Sequence, residues 1–518
     1  MGRRRAGILL PVTSLPSKYG IGDFGPEALK FAKFLHDAGQ KMWQVLPMTT
    51  IDPGCGNSPY SPTSAFAGNY LLVSPELLID DGLLTPEELE KISARYDFTA
   101  NPERVDYESA RAFKTDILNA AYKHCMKKGA EDFRDFTAKT EWLEDFALFS
   151  VIKHTQGGSA WYDWPEDLRH RDSKALSEFK AEYAEEIALQ EFYQYIFFRQ
   201  VNNLREELNA LDVELVGDMP LYVTMDCADV WQNPGLFDLD ENLNPVTVAG
   251  VPPDYFSADG QLWGNPCYKW EAHEAQGFDW WIRRLKNLLS MFDRVRIDHF
   301  RGLVAYWAVP NGEETAKNGQ WVDVPYKKFF AALKANFPEM PFWAENLGII
   351  TPDVEEVRQE YALPGMLVLH FAWGNPADNP YAPHNHSRNS VVYTGTHDNN
   401  TSRGWVENDD SEGEIRNFSA YIGRDVMDGY IFTSEVTRLA VSSVTDTAII
   451  PMQDYLRLSA DARINVPSTP SGNWSWRMKP DAIPDGLADR IRAACTLYGR
   501  TFTEPKKQPE ETESEQKA

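Results

Sequence analysis

Cysteine is scarce in this chain of 518 residues, and the few that occur follow no pattern. The five are Cys55, Cys125, Cys227, Cys267 and Cys495. Their odd number, wide scatter and lack of C-x-x-C spacing argue against a disulfide framework and against a zinc site. Thiols without a framework are typical of a reducing compartment, so we expect a cytoplasmic protein.

Basic residues are also few in comparison with acidic residues. Lysine and arginine number 51 against 77 aspartates and glutamates, which leaves a formal net charge of −26. An anionic surface repels phosphate backbones and anionic lipids, so it disfavours nucleic-acid and membrane-surface partners. It fits a protein that handles neutral or cationic small molecules.

Long hydrophobic runs are missing as well, since no apolar stretch approaches the roughly 20 residues that span a bilayer. The first residues, MGRRRAGILLPVTSLPSKYG, have the basic start and short apolar run of a secretory signal. However, Pro11 interrupts the run at 6–12, and no A-x-A-like cleavage site follows. We therefore interpret this segment as a first strand and expect a soluble protein.

The chain does contain a repeated pattern of short apolar runs, each ending in polar, Gly or Pro residues. Eight can be counted, at 6–12, 42–48, 213–220, 294–300, 341–348, 365–372, 390–398 and 446–454. Segments of helical period lie between most of them, as in GPEALKFAKFLHDAG and GFDWWIRRLKNLLSMF. Eight strands alternating with helices predict an α/β protein, specifically a (β/α)8 TIM barrel.

The uneven spacing of these runs predicts inserted helical and loop subdomains at the C-terminal face of the barrel. The gap between the second and third runs is far longer than one crossover, and it contains a capping box from Thr85 to Glu88. The segment 177–212 predicts one long helix that returns to the third strand. The predicted divisions are a catalytic domain over 1–503, a mostly helical insertion at about 49–200, an active-site loop at about 223–275 and a disordered tail over 504–518.

Charged residues cluster where four of the runs end. In RVRIDHFRG, residues 294–302, the alternation places Val295 and Ile297 on one face and Arg296 and Asp298 on the other. The other strand ends carry Asp218, Glu345, His397 and Asp398, and His299 follows Asp298 directly. A single acid at a strand end is more often a helix cap or salt-bridge partner. Because strand ends meet at one mouth of a barrel, their convergence favours a functional site.

Three chemistries use such a cluster. Glycoside transfer needs a nucleophilic carboxylate and a second carboxyl that stays protonated; crowding would raise one pKa while Arg296 holds Asp298 ionised. Metal-assisted hydrolysis could also use Asp and His, but no H-x-H or H-E-x-x-H spacing appears, and we expect no metal. Phosphoryl transfer needs a Gly-rich phosphate cradle with a lysine, which GIGDFG lacks. Glycoside chemistry therefore fits best.

Aromatic residues support this interpretation, since 16 Trp and 22 Tyr are present. Several fall in strand-end loops, at Tyr60, Tyr70, Tyr255, Trp263, Trp307 and Trp373. Aromatic rings present a flat apolar face to the CH side of a sugar. For any one Trp, packing in the core is the commoner role, and we expect it for Trp43 inside the second run.

Nine longer motifs follow in order from about residue 6 to residue 500. They are ILLPVTSLPSKYGIGDFG, WQVLPM, NSPYSPTSAFAGNYLL, GDMPLYV, VPPDYFSADGQLWGNPCY, RIDHFRG, WAENLG, TGTHDNNT and RINVPSTPSGNWSWR. Together they resemble the 4-α-glucanotransferases of the amylomaltase (disproportionating enzyme) type, glycoside hydrolase family 77. The resemblance implies transfer of α-1,4-glucan segments through a covalent glycosyl-enzyme, without metal or organic cofactor.

The resemblance also implies roles for individual residues. Asp298 matches the nucleophile, Glu345 the general acid/base and Asp398 a third acid that binds sugar hydroxyls. The further substrate-binding positions that it implies are Tyr60, Asp218, Trp263, Arg296, His397 and Asn465.

Two alternatives stay open at this point. One is an α-1,4-glucan hydrolase with the same three carboxylates, and the other is a catalytically silent glucan-binding protein. The intact acids at Asp298 and Glu345 argue against the second. We expect malto-oligosaccharides and α-glucans as partners, neither nucleic acid nor membrane, and a monomer or weak homo-oligomer.

Overall fold

A closed barrel of eight parallel strands forms the centre of the molecule. The computed structural model describes residues 4–253, 257–408, 412–426, 428–469 and 471–502. Its strands are β1 (Arg5–Leu9), β2 (Met42–Gln44), β3 (Glu214–Met219), β4 (Thr247–Val251), β5 (Gln261–Pro266), β6 (Arg294–Ile297), β7 (Ala305–Pro310), β8 (Gln320–Asp323), β9 (Phe342–Ala344), β10 (Gly365–Val368), β11 (Ser390–Tyr393) and β12 (Thr447–Pro451). Tyr255 and the tail predicted over 504–518 lie outside the described residues.

The order of strands around the barrel is β1-β12-β11-β10-β9-β6-β3-β2, so each strand pairs with the next barrel strand along the chain. Each of the eight apolar runs contains one of these strands, and the predicted (β/α)8 barrel is confirmed. Strands β2, β9, β11 and β12 are buried along their whole length. Burial on both faces explains why such strands read as continuous apolar runs.

Helices connect and surround the barrel strands. They are α1 (Pro26–Asp37), α2 (Pro75–Asp80), α3 (Pro86–Ser93), α4 (Tyr107–Lys127), α5 (Glu131–Lys139), α6 (Leu143–Thr155), α7 (Glu166–Arg169), α8 (Ser173–Glu182), α9 (Ala184–Ala210), α10 (Ala228–Gln232), α11 (Trp270–Ala275), α12 (Asp279–Met291), α13 (Tyr326–Asn336), α14 (Pro352–Glu360), α15 (Ser402–Asn408), α16 (Glu412–Ile422), α17 (Gly429–Ser442), α18 (Met452–Tyr455) and α19 (Leu487–Leu497). Among the described residues, no helix is long and apolar enough to cross a membrane.

Helices α2 to α9 all lie between β2 and β3. The predicted capping box is present, because the Glu88 N–H donates to the Thr85 hydroxyl at 3.2 Å while the Thr85 N–H donates to the Glu88 carboxylate at 3.0 Å. The long helix predicted over 177–212 is instead two helices that meet at Tyr183. Two glutamates occupy the first turn of α9, where the helix dipole favours negative charge and so favours a new helix start.

A second sheet, of four antiparallel strands in the order β5-β4-β7-β8, comes from the segments after β3 and β6. The segment around β4 and β5 belongs to the active-site loop predicted at about 223–275, so that prediction misses these two strands. The first four residues of β5 are exposed, as are three of the four in β8. Strands that bury so little surface lack the apolar runs that revealed the barrel.

Candidate active site

The chain turns sharply directly after β6. His299 has a left-handed backbone with φ of 49°, and a short 3-10 helix, Phe300–Leu303, follows it. The Asp298 N–H donates to the Met219 carbonyl at the end of β3, at 3.0 Å. These contacts place Asp298 at the barrel mouth, beside the end of the neighbouring strand.

Arg296 lies two residues before Asp298 along the chain and is almost fully buried. Its Nη1 donates to both carboxylate oxygens of Asp218, at 2.8 and 2.7 Å, and its Nη2 lies 2.9 Å from Asp298 Oδ1. The Tyr60 hydroxyl also donates to Asp218, at 2.7 Å. Burial lowers the pKa of Arg296, but Asp218 and Asp298 outweigh that effect and raise it well above its ordinary value. Two acids therefore share one guanidinium inside the barrel.

Glu345 follows β9 directly, and its carboxylate is held by backbone groups on two sides. The His299 N–H donates to Oε2 at 2.8 Å, and the Leu347 N–H donates to Oε1 at 2.7 Å. Burial raises the pKa of Glu345, whereas Arg296 and the two N–H donors pull it down. Burial prevails, so the carboxyl keeps its proton to a higher pH than a free glutamate does.

The pKa of Asp298 is set by the same opposing effects of burial and nearby charges. Its pKa is raised to about 8, because burial raises it most, Arg296 lowers it, and the nearby acids Asp218, Glu345 and Asp398 raise it. The expectation that Arg296 holds Asp298 ionised is met only in part, because the guanidinium makes its two shortest contacts with Asp218. Burial prevails here as well, so Asp298 keeps its proton to a higher pH than a free aspartate does.

Asp398 and His397 follow β11 on the other side of the mouth. His397 Nε2 lies 3.3 Å from Asp398 Oδ2, and the Asn465 side-chain amide donates to Asp398 Oδ1 at 2.7 Å. Burial lowers the pKa of His397, while Asp398 opposes this shift. The His397 ring stacks on Tyr60 at a centroid distance of 5.0 Å and an interplanar angle of 13°. Asp398 is thus fixed by its neighbours while its carboxylate stays partly exposed.

An open cavity of about 410 Å³ lies at this mouth. Six of the nine predicted site residues line it, namely Tyr60, Trp263, Asp298, His397, Asp398 and Asn465. The other three, Asp218, Arg296 and Glu345, contact these lining residues or the adjacent His299 backbone through the bonds given above. The structure therefore brings all nine predicted residues together at the end of the barrel.

The aromatic residues divide into two groups. Trp263 lies on β5, is 37% exposed, and meets the His299 ring edge-on at 4.8 Å. Trp373 is fully buried against Phe418 and Tyr421, so it is a core residue and not a surface for a sugar. Trp43 is also fully buried, as expected.

Two aromatic residues that line the cavity were missed, Tyr222 and Trp474. Trp474 lies 5.6 Å from the Tyr60 ring and 6.0 Å from the His397 ring. Its only signal in the sequence is its position inside the motif RINVPSTPSGNWSWR. Tyr222 follows β3 by three residues and gave no separate signal.

Within the described part of the chain, no group of three or more His, Cys, Asp or Glu side chains is arranged to hold a metal ion. The cavity instead combines carboxylates with aromatic rings and amides. That combination can protonate a leaving oxygen, supply a carboxylate nucleophile and hold pyranose rings.

Comparison with known proteins gives consistent findings. A family model described as 4-alpha-glucanotransferase matches residues 10–483. The 4-alpha-glucanotransferase of Synechocystis sp. is 45% identical over 508 residues, covering 96% of this chain and 99% of that protein. The 4-alpha-glucanotransferase of Thermus thermophilus is 43% identical over 512 residues, with coverage of 96% and 99%.

Solved structures agree with these relatives. Amylomaltase from Streptococcus agalactiae in complex with acarbose superposes with a TM-score of 0.91 at 36% identity, covering 96% of this chain and 99% of that one. Amylomaltase from Corynebacterium glutamicum shares the fold, with a TM-score of 0.77 at 17% identity and coverage of 95% and 75%.

Proposed function

Since the chain belongs to the 4-alpha-glucanotransferase family, we propose that the cavity at its barrel mouth transfers α-1,4-glucan segments by a retaining double displacement. The activity is that of the family, EC 2.4.1.25, in which a segment passes from a donor malto-oligosaccharide to the 4-OH of an acceptor glucan or glucose. The near full-length match to relatives of that name carries this conclusion, and it supports transfer over hydrolysis.

In the first step, Asp298 is the nucleophile and Glu345 is the acid. An Asp298 carboxylate oxygen bonds to the anomeric carbon, the glycosidic C–O bond breaks, and the Glu345 proton passes to the departing 4-oxygen. This step needs Asp298 ionised and Glu345 protonated. The direct contact of Arg296 with Asp298, at 2.9 Å, favours the ionised form of Asp298.

In the second step, Glu345 acts as the base. Its carboxylate takes the proton of an incoming 4-OH, whose oxygen attacks the anomeric carbon while the bond to Asp298 breaks. Two inversions at the same carbon leave the α configuration unchanged. Protons and electron pairs move only between the sugars and the two carboxyls.

The remaining residues bind the glycosyl unit. We assign hydroxyl binding to Asp398, which Asn465 and His397 hold in place, and a stacking surface to Tyr60 beside His397. Asp218 and Arg296 bind from the floor of the site, where their side chains are 0% and 4% exposed. Such contacts can strengthen as the ring distorts towards the transition state.

Transfer requires that a sugar hydroxyl completes the reaction in place of water. Trp263 and Leu262, both on β5, lie over the cavity beside His299 and Asp298. We propose that this edge of the second sheet covers the glycosyl-enzyme until an acceptor binds, so that water is excluded.

The assignment of the two acids can be tested by trapping the intermediate. Incubating Glu345→Gln with α-maltotriosyl fluoride should accumulate a glycosyl-enzyme, because fluoride leaves without a proton but the second step lacks its base. Intact-mass analysis and peptide mapping should place the sugar on Asp298, and Asp298→Asn should give no adduct. An adduct on another residue would contradict the proposal.

We further propose one catalytic domain over 1–503, with insertions at about 49–200 and 223–275, in a cytoplasmic monomer or weak homo-oligomer that binds neither nucleic acid nor membrane. Helices α2 to α9 and the second sheet support the two insertions. All five cysteines are free thiols, which suits a reducing compartment. Light scattering behind a sizing column would test the oligomeric state.

A further inference from the structure

Arg301 joins the two backbone segments that hold the Glu345 carboxylate. Its own backbone belongs to the turn after β6, whose His299 N–H donates to Oε2 of Glu345 at 2.8 Å. Its guanidinium reaches across and donates through Nη1 to the Ile349 carbonyl, at 2.7 Å. Ile349 lies two residues beyond Leu347, whose N–H donates to Oε1. One side chain therefore ties both donor segments together.

The guanidinium is fixed on its other side by Trp321 of β8. The Arg301 Cζ lies 3.9 Å from the centroid of the indole, which is 43% exposed. Arg301 itself is 8% exposed, and its Nε makes no hydrogen bond within the described residues. The stacked ring and the single carbonyl contact thus define the position of this side chain.

We propose that Arg301, held by Trp321, is a positioning residue for Glu345. It keeps the His299 and Leu347 N–H groups at the separation at which each donates to one carboxylate oxygen of Glu345. This inference rests on the role proposed above for Glu345 and adds two residues outside the cavity lining to the catalytic arrangement. Misplacing a catalytic acid by about 1 Å can lower the rate by up to about 100-fold, so a residue that fixes the position of Glu345 has a measurable effect on the rate.

The pH dependence follows from the surroundings of Glu345. The charged and titratable groups around it are Arg296, Asp298, Asp398, His299 and Tyr381, and Arg301 itself has Asp353 nearby. The two N–H bonds stabilise the carboxylate, so loosening either one raises the pKa of Glu345. If Glu345 must be protonated in the first step, the alkaline limb of kcat/KM then moves to higher pH.

The test uses Arg301→Lys and Trp321→Ala, because the first keeps the positive charge and the second leaves Arg301 intact. With maltotriose, we expect kcat to fall roughly 10-fold or more in Arg301→Lys and less in Trp321→Ala, with KM changing less than about two-fold. The alkaline limb of the kcat/KM profile should move to higher pH in both variants. With α-maltotriosyl fluoride as donor, the first step, followed as the initial release of fluoride, should slow much less, since that leaving group needs no proton.

Tyr430→Ala is the matched control. Tyr430 is 47% exposed and stacks on Arg403 at 4.2 Å, so the change also removes an exposed ring from an arginine. It should leave the pH profile and both rates unchanged. Circular dichroism and melting temperature would show that each variant folds.

The outcomes separate this inference from the proposed function. If Glu345→Gln loses activity on maltotriose but keeps the first step with the fluoride, the role of Glu345 stands. If the Arg301 and Trp321 variants slow this first step with the fluoride as much as they slow turnover of maltotriose, or keep the wild-type pH profile, the positioning role is contradicted. If Glu345→Gln shows no preference for the fluoride, the role of Glu345 itself fails.

Discussion

Within single residues, the decisive feature is a guanidinium that two acids share. Arg296 binds Asp218 through two oxygens and Asp298 through one, in a region where the first two side chains are almost completely buried. A buried carboxylate without such a partner costs several kcal/mol. Because Arg296 makes two of its contacts with Asp218, the charge of an ionised Asp298 is only partly compensated.

This arrangement predicts that Asp298 destabilises the fold above acidic pH. Its folded pKa is about 8, whereas an aspartate in the unfolded chain titrates near 3.9. The ionised form is therefore disfavoured by folding, and the loss of stability grows as pH rises through this range. Asp298→Asn should melt at a higher temperature than the wild type, with a larger gain at about pH 8 than at about pH 5.

Thermal melts of both proteins across this pH range would measure the effect. Asp259→Asn is a suitable control, because the Asp259 side chain is 64% exposed. A gain for Asp298→Asn that stayed constant or shrank with rising pH would contradict the electrostatic account.

The proposed roles also predict rates. Asp298→Asn and Glu345→Gln should each reduce kcat on maltotriose by several orders of magnitude, since each removes a group that acts in both steps. Far-ultraviolet circular dichroism should show an unchanged fold. Near wild-type turnover in either variant would overturn the assignment.

Among the elements, the second sheet sets the accessibility of the cavity. Its strand β5 carries Leu262 and Trp263, which line the cavity although the strand lies outside the barrel. In the proposed mechanism, the barrel supplies the reacting groups and this added sheet covers them.

Trp263→Ala should therefore increase the ratio of hydrolysis to transfer. Removing the indole opens the space beside His299 to water, which then competes with the acceptor hydroxyl for the glycosyl-enzyme. Counting new reducing ends against redistributed chain lengths measures the ratio, and Trp263→Phe should restore most of the wild-type value. An unchanged ratio in Trp263→Ala would contradict the proposal that β5 excludes water from the glycosyl-enzyme.

The difference between the two sheets also explains what the sequence could predict. The barrel strands bury both faces, so their apolar runs and the acids after them were visible directly. Strands β5 and β8 are largely exposed, and their contacts depend on distant segments. The same limit applies within the site, because Trp474 reaches Tyr60 only through folding, and the donors to Glu345 are backbone groups that carry no side-chain signal.

For the molecule as a whole, the net charge of −26 should have little effect on the reaction. A neutral malto-oligosaccharide is neither attracted nor repelled, so kcat/KM should change less than about two-fold between about 0.02 and 0.5 M NaCl. The melting temperature should rise with salt, because screening weakens repulsion among the surface acids. A steep decline of kcat/KM with salt would instead indicate a charged ligand.

The barrel mouth should transfer glucan segments to sugar hydroxyls and not to water. Incubating the protein with maltotriose alone and separating the products by length distinguishes the two. We expect glucose together with maltopentaose and longer chains, with almost no gain in reducing ends. Glucose and maltose with steadily rising reducing ends, or maltotriose left unchanged, would contradict it.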